Sequence, residues 1–397
     1  MSLVVKGFFC FGLFLLAVLS GAADWYSYRV FAPNAAAVQR IADSELTLMS
    51  ERIGRVTEVA SPSEASVKAL GLRYERGDKL SDPAASYVRS TDGSDYKTEY
   101  FTLNEIIEQF ETWRLQYPTL IQREQIATTE EGRPVWAYRL HNPYSPLPAT
   151  GVFFHGLIHA REWISGPAVM YNFEMLLTEA LTSATGWERI SRFDFNVVPV
   201  LNPDGYSYTW TNNRNWRKNR RVVNGTPRGV DLNRNYPIGW GGVGSSGNPS
   251  SDTYRGTAPF SEPELAGLRI YLDGRAAATG VAYSLDYHSY GQYVIHPLGY
   301  TETQAPDHAA LNAVAHVYGN AVEATGGLNY TVGQSSVAQY PAGGTSEDFY
   351  YDEYNSLGGT IELRPTGSPG FELPPSQILP TIREHWAGFK AALEWLK

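Results

Sequence analysis

The sequence predicts an α/β protein: a sheet covered by helices on both faces, preceded by a small α+β unit. Three observations predict it. Apolar runs that read as buried strands alternate with amphipathic helical stretches through most of the chain, the pattern of a sheet layered between helices. The 397 residues are 43% hydrophobic and 18% charged, too apolar for disorder and long enough for more than one domain. A polar stretch, residues 81–99, divides the first part from the rest and reads as an exposed linker. The net charge of -9 excludes a generally basic nucleic-acid binder.

In chain order, the first segment is a leader. Lys6 precedes the apolar run Phe8–Leu19, and Ser20, Gly21, Ala22 and Ala23 follow. This is the pattern of an export signal over residues 1–23, with a run of about 12 apolar residues where a membrane span needs roughly 20. The mature chain is therefore expected to be secreted, without stable membrane association. Cys10 is the one cysteine and lies in the leader. The mature chain is then expected to form no disulfide and to rely on a large core or a bound metal. Asn224-Gly225-Thr226 and Asn329-Tyr330-Thr331 are sequons that a eukaryotic host can glycosylate.

Residues 24–80 read as β-α-β-β-α-β. Tyr26–Phe31 alternates like a strand, Ala35–Ile41 is helical, and Leu46–Met49 and Val56–Val59 are short strands. Ser61-Pro62-Ser63-Glu64 opens a helix as a capping box, Gly71 ends it, and Leu72–Arg76 is the last strand. That order is ferredoxin-like. Beyond the linker, Thr102-Leu103-Asn104-Glu105 forms another capping box, and Ile106, Ile107, Phe110 and Trp113 supply an apolar stripe. Val152–His155, Val197–Leu201, Val281–Tyr287 and Thr360–Leu363 then read as buried strands. Pro167–Leu181, Glu264–Ala278, His308–Ala324 and Gln377–Leu396 read as helices.

The chemistry-bearing residues gather where strands end. His159-Ala160-Arg161-Glu162 follows a strand and precedes a helix, so a His and a carboxylate three residues apart can reach one metal. Alone, H-x-x-E arises often by chance, and a surface ion pair with Arg161 is the alternative. His288 ends another apolar run and is the best candidate for a third ligand; His308 and His316 lie in a helical pattern, and His385 is near the C-terminus. Two His and one Glu make a catalytic zinc set with a position left open. Arg214-Asn215-Trp216-Arg217-Lys218 and Asp231-Leu232-Asn233-Arg234-Asn235 offer donors for a carboxylate or a polarised carbonyl, unless the first is only a solvated basic loop. Glu362 sits in an apolar strand, where a carboxylate is costly. Either it is a general base or it pairs structurally with Arg364.

In this order and spacing the motifs resemble the zinc metallocarboxypeptidases of the pancreatic carboxypeptidase A and B type, from about residue 100 to the end. They are His159-Ala160-Arg161-Glu162-Trp163, Asn215-Trp216-Arg217-Lys218, Asp231-Leu232-Asn233-Arg234-Asn235, His288-Ser289-Tyr290, Tyr340-Pro341-Ala342, Glu362-Leu363-Arg364 and Phe371. The resemblance implies a mixed central sheet and a zymogen: residues 24–80 an inhibitory pro-domain, 81–99 an activation linker cut by a protease, 100–397 the catalytic domain. It implies one zinc ion per chain on His159, Glu162 and His288, with Asp231 orienting His159. It implies Arg217 for the oxyanion, Glu362 as general base, and Asn233, Arg234 and Tyr340 for the substrate's terminal carboxylate. Arg161, Tyr290 and Phe371 would line the subsite of the preceding residue. Glu347 falls at the base of the pocket for the terminal side chain and Ser335 beside it, which implies a lysine or arginine preference; the longer Glu arm leaves an aliphatic, aromatic or broad preference open. The expected partners are peptide or protein C-termini and an activating protease, with no nucleic acid, and the enzyme is expected to be a monomer. Two other readings use the same residues: hydrolysis of a non-peptide amide, and a zinc-binding module without catalysis, which loss of a ligand or of the base would mark.

Overall fold

The computed structural model describes residues 26–32, 34–49, 56–61, 63–79, 95–145, 149–326 and 328–397. The expected export signal and most of the expected activation linker, with its trypsin-like bond Arg89-Ser90, lie outside them. The first domain comprises β1 (Tyr26–Phe31), α1 (Ala35–Ala42), β2 (Thr47–Leu48), β3 (Val56–Ser61), α2 (Glu64–Lys68) and β4 (Arg73–Lys79). Its antiparallel sheet has the order β2-β3-β1-β4, the ferredoxin-like arrangement. Tyr28, Val30, Val59 and Leu48 pack under Ile41 and Val67 as one small core. The second helix differs from the sequence reading. Ser61 ends β3 and Ser63 is the residue before the helix, so the first serine turns the chain instead of capping it: its Oγ accepts from Ser63 N at 3.1 Å. Glu64 accepts from Tyr74 Oη at 2.7 Å.

Within residues 95–99, read from their polarity as linker, Tyr96 is packed into the core. Tyr96 is buried edge-on against Phe101 and Trp113, and its hydroxyl donates to Glu174. α3 (Leu103–Gln116) follows, with Thr102 N donating to Glu105 Oε2 at 2.9 Å in the expected capping box.

The second domain is built on β5 (Ile121–Thr128), β6 (Pro134–Leu140), β7 (Thr150–Gly156) and, after α4 (Ser165–Thr182) and α5 (Ala184–Arg192), β8 (Phe193–Val198). α6 (Pro203–Thr211), the hairpin β9 (Val222–Val223) and β10 (Thr226–Pro227), and α7 (Pro263–Thr279) lead to β11 (Tyr283–Ser289) and β12 (Tyr293–His296). α8 (His308–Ala324), β13 (Thr331–Gln334), α9 (Ser335–Ala338), α10 (Ser346–Tyr354), β14 (Gly359–Leu363) and α11 (Ile378–Trp395) complete it. The eight-stranded sheet has the order β13-β12-β14-β11-β7-β8-β6-β5 and is mixed. β8, β11 and β14 are buried along their whole length. One face packs on α3, α4, α8 and α11, the other on α7 and α10, so the central strands carry side chains into two cores. Strand β8 lies upstream of the expected Val197–Leu201. Asp194 and Asn196 interrupt its apolar pattern, yet both are buried because Arg139 Nε reaches Asp194 at 2.7 Å and Tyr271 Oη reaches Asn196 at 2.6 Å.

Candidate active site

The parallel strands β7, β11 and β14 point their C-terminal ends at one place. After β7 the chain makes a turn that is pinned on both sides. Leu157 N donates to Ser165 Oγ at 3.0 Å, Ser165 Oγ to Glu162 O at 2.8 Å, and Ala160 N to Arg217 O at 2.9 Å. His159 and Glu162 thereby face inward before α4 begins. His288, near the end of β11, joins them. His159 Nδ1 lies 2.8 Å from Glu162 Oε1, and His288 Nδ1 lies 3.0 Å from Glu162 Oε2. All three residues are buried, with ligand atoms within 4.8 Å of one another. Two neutral imidazole nitrogens and one carboxylate at that spacing suit a borderline divalent cation such as zinc.

The outward ring nitrogens are each fixed by a carboxylate. His159 Nε2 meets Asp231 Oδ1 at 3.0 Å, and His288 Nε2 meets Asp286 Oδ2 at 2.8 Å. Burial opposes ionisation of Asp231, but Arg217 and His159 hold it well below the ordinary carboxylate range. Asp286 is likewise buried, and His155 and His288 draw it down to about 2. For His288 burial favours the neutral ring, but Asp286 and Glu162 push its basicity well up. A cation among these groups takes the place of that proton.

Arg217 and Asn233 adjoin this centre, at 3.8 Å from Glu162 and 3.4 Å from His288. Arg217 is buried, with Nη2 on Asp231 Oδ2 at 3.0 Å and Nη1 at 3.8 Å from Glu162 Oε1; the loop that carries it is not a solvated one. Glu362 stands opposite His288 in the parallel β11–β14 register. Arg364 pairs with Glu384, which sets aside the pairing with Glu362. Asn233 accepts from Ser346 N at 2.8 Å, and Arg234 donates to Gly244 O at 2.9 Å. Tyr340 is half-buried against the core of the first domain. Arg161 reaches Asp252 Oδ2 at 3.3 Å and lies over the Phe371 ring, which meets Tyr290 edge-on.

Glu347, in the first turn of α10, is buried. Ser335 Oγ donates to its Oε1 at 3.2 Å and Thr360 Oγ1 to its Oε2 at 3.3 Å. Among the described residues no lysine or arginine pairs with it. The next residue, Asp348, accepts from the amides of Gly299 and Tyr300 at 2.7 and 3.0 Å. Burial and the adjacent Glu347 charge push Asp348 up.

A family model described as zinc carboxypeptidase (Peptidase_M14) matches residues 106–388. The chain belongs to the zinc carboxypeptidase family. Carboxypeptidase A4 of Mus musculus is 34% identical over 346 residues, covering 85% of this chain and 81% of that one. A metallocarboxypeptidase A-like protein of Trichophyton verrucosum is 38% identical over 281 residues, covering 70% of this chain and 66% of the relative. Among solved structures, thrombin activatable fibrinolysis inhibitor superposes with a TM-score of 0.79 at 25% identity, over 94% of this chain and 98% of that one. The chain is thus a metallocarboxypeptidase, a hydrolase acting at peptide C-termini.

Within this carboxypeptidase, Asp286, Ser346 and Thr360 escaped the sequence reading. Asp286 precedes His288 by two residues on one strand, so both side chains project from the same face. That spacing is the signal that finds it. Ser346 Oγ donates to Asp286 Oδ2 at 2.7 Å, a contact across 60 residues that no local pattern announces.

Proposed function

We propose that this carboxypeptidase is exported as a zymogen and removes lysine or arginine from the C-termini of peptides and proteins. The observation that carries the preference is the buried Glu347 carboxylate, which two hydroxyls serve and no lysine or arginine among the described residues neutralises. A cationic side chain pairs with it and relieves its repulsion with Asp348; an apolar one leaves it buried and uncompensated.

A zinc ion held by His159, Glu162 and His288 would supply a Lewis acid and a more acidic water. Glu362 takes the water proton and returns it to the leaving amine. Arg217, held in place by Asp231, donates to the developing oxyanion. Asn233, Arg234 and Tyr340 hold the terminal carboxylate, which selects a free C-terminus and sets the scissile bond. Arg161, Tyr290 and Phe371 hold the preceding residue.

Latency rests on contacts of the first domain. Asp252 Oδ2 accepts from Leu48 N at 3.0 Å while it also meets Arg161, and Ser246 Oγ donates to Asp43 Oδ1 at 2.8 Å. Tyr340 is engaged by the same domain. A neighbour described as thrombin activatable fits activation by cleavage, here in residues 81–99, with Arg89-Ser90 the trypsin-like bond.

The test is hydrolysis of blocked dipeptides ending in Arg, Lys, Phe and Leu, before and after limited trypsin treatment. The proposal expects low activity in the intact chain, a rise on cleavage, and higher kcat/KM for Arg and Lys. A fully active intact chain removes the zymogen reading, and higher kcat/KM for Phe or Leu removes the preference.

A further inference from the structure

The buried histidines outside the cleft differ in how their rings are served. His385 is bonded through both nitrogens, Nδ1 to Tyr318 Oη at 3.0 Å and Nε2 to Tyr330 Oη at 2.8 Å. His155 meets Tyr350 Oη through Nε2 at 2.9 Å, while its Nδ1 faces the Asp286 carboxylate at 3.3 Å without a hydrogen bond. His296, at the end of β12, is as deeply buried but only half served. Its Nδ1 lies 2.7 Å from Pro297 O, and a carbonyl can only accept, so Nδ1 carries the hydrogen. Nε2 is then a lone pair, buried without a well-formed hydrogen bond, with Asn312 in weaker contact with the ring. The His308 ring stands against it edge-on, and its Nδ1 is also buried without a hydrogen bond.

We propose that His296 and His308 form a second metal site, for a divalent ion of the zinc, copper or nickel class, separate from the catalytic centre. The geometry is the first support. Two imidazoles on one tetrahedral ion, at about 2.0–2.1 Å per bond, have ring centres roughly 5 Å apart. The His296 and His308 rings are 5.2 Å apart at an interplanar angle of 66°. The His159 and His288 rings, in the catalytic set, are 4.6 Å apart at 58°. The tautomer is the second. A ligating histidine ordinarily gives its other N–H to a carbonyl or carboxylate, and Pro297 O does this for His296 as Asp231 does for His159. Asn312, one helical turn after His308, is within hydrogen-bonding reach of His296, and its amide oxygen, turned to the ion, would be a third ligand, with water completing the set. His308 begins α8, whose positive end disfavours a cation; Asp307, immediately before it, supplies the opposing charge.

Such an ion ties the end of β12 to α8. From His296 the chain runs directly to Gly299 and Tyr300, whose amides bind Asp348 beside the Glu347 pocket. The expected role is therefore to brace that wall, not to take part in hydrolysis.

Equilibrium dialysis of the full chain against micromolar zinc chloride, followed by elemental analysis, counts the ions. The proposal expects close to two per chain for the unmodified protein and one for His308→Gln, with dipeptide hydrolysis retained. His288→Ala should still hold one. Zinc beyond the first equivalent should raise Tm in the unmodified protein and leave it unmoved in His308→Gln. One ion per chain in the unmodified protein overturns the proposal. So does a second ion that survives both His308→Gln and His296→Gln.

Discussion

The two ends of the cleft handle buried charge in opposite ways. At the metal end three buried carboxylates have basic side chains beside them: Asp231 meets Arg217 and His159, Asp286 meets His155 and His288, and Glu162 lies between His159 and His288. At the proposed pocket Glu347 and Asp348 are adjacent carboxylates served, among the described residues, by hydroxyls and amides and by no lysine or arginine. Buried charge is costly unless it is paired. A matched set holds itself, and a metal, in place. An unmatched carboxylate is stable only if something else brings the cation, and in a carboxypeptidase the substrate's last side chain can.

The strongest way to break this contrast is at the matched end. His288→Ala should lose metal and activity together, because one ligand of three is gone. Glu362→Gln should keep the metal and lose about 10²–10⁴-fold in kcat, because an amide cannot take the proton. Elemental analysis beside kcat separates the two; equal metal content in both variants would contradict the division of roles.

Next in size is the unmatched end. Glu347→Ile should lower kcat/KM for Arg and Lys by on the order of 10²-fold and raise it for Phe, since the pocket floor changes from a charge to an apolar surface. Unchanged ratios among the four blocked dipeptides would mean that Glu347 does not face the terminal side chain. A smaller change returns to the metal end. Asp286→Asn leaves His288 without its carboxylate and should weaken zinc binding about 10–100-fold in chelator competition. Ser346→Ala, which removes a hydroxyl from the same carboxylate, should weaken it less.

The chemistry at the two ends was not equally legible in the sequence. His159, Glu162 and His288 announce themselves because they stand at strand ends, where apolar runs stop. The pattern of the first domain is legible for a related reason: its short strands and helices each bury one face in a core of local contacts. β5 was missed because it is an edge strand whose residues Gln122–Gln125 face solvent, so it lacks an apolar rhythm. Asp194, Asn196 and Asp286 were missed because polar residues in a strand look like interruptions until distant partners satisfy them. Tyr96 was read as linker because one aromatic among polar neighbours gives no period. Ser346 and Thr360 reach the site through contacts that only the assembled sheet creates.

The smallest expected effect carries the contrast away from the cleft, to Glu262 and Glu264. Glu262 is matched: Asn219 Nδ2 donates to it at 2.8 Å, Ser261 Oγ at 2.8 Å, and Arg221 Nε lies 3.4 Å away. Glu264, in the first turn of α7, has the Asn219 amide only at 3.4 Å. Burial, reinforced by the Glu262 charge, pushes Glu264 up to about 8. Its folded value is thus above the unfolded one of about 4.3. The folded chain then holds the proton that the unfolded chain releases between these values. Stability from this group is complete below about pH 4.3 and falls as pH rises toward about 8. Glu264→Gln keeps the shape, adds a donor and carries no charge. It should match the unmodified protein near pH 4 and exceed it at pH 8, by on the order of 5 °C in Tm. Parallel Tm profiles for the two proteins from pH 4 to 8 would show that Glu264 is matched after all, and that buried carboxylates without cations are confined to the substrate pocket.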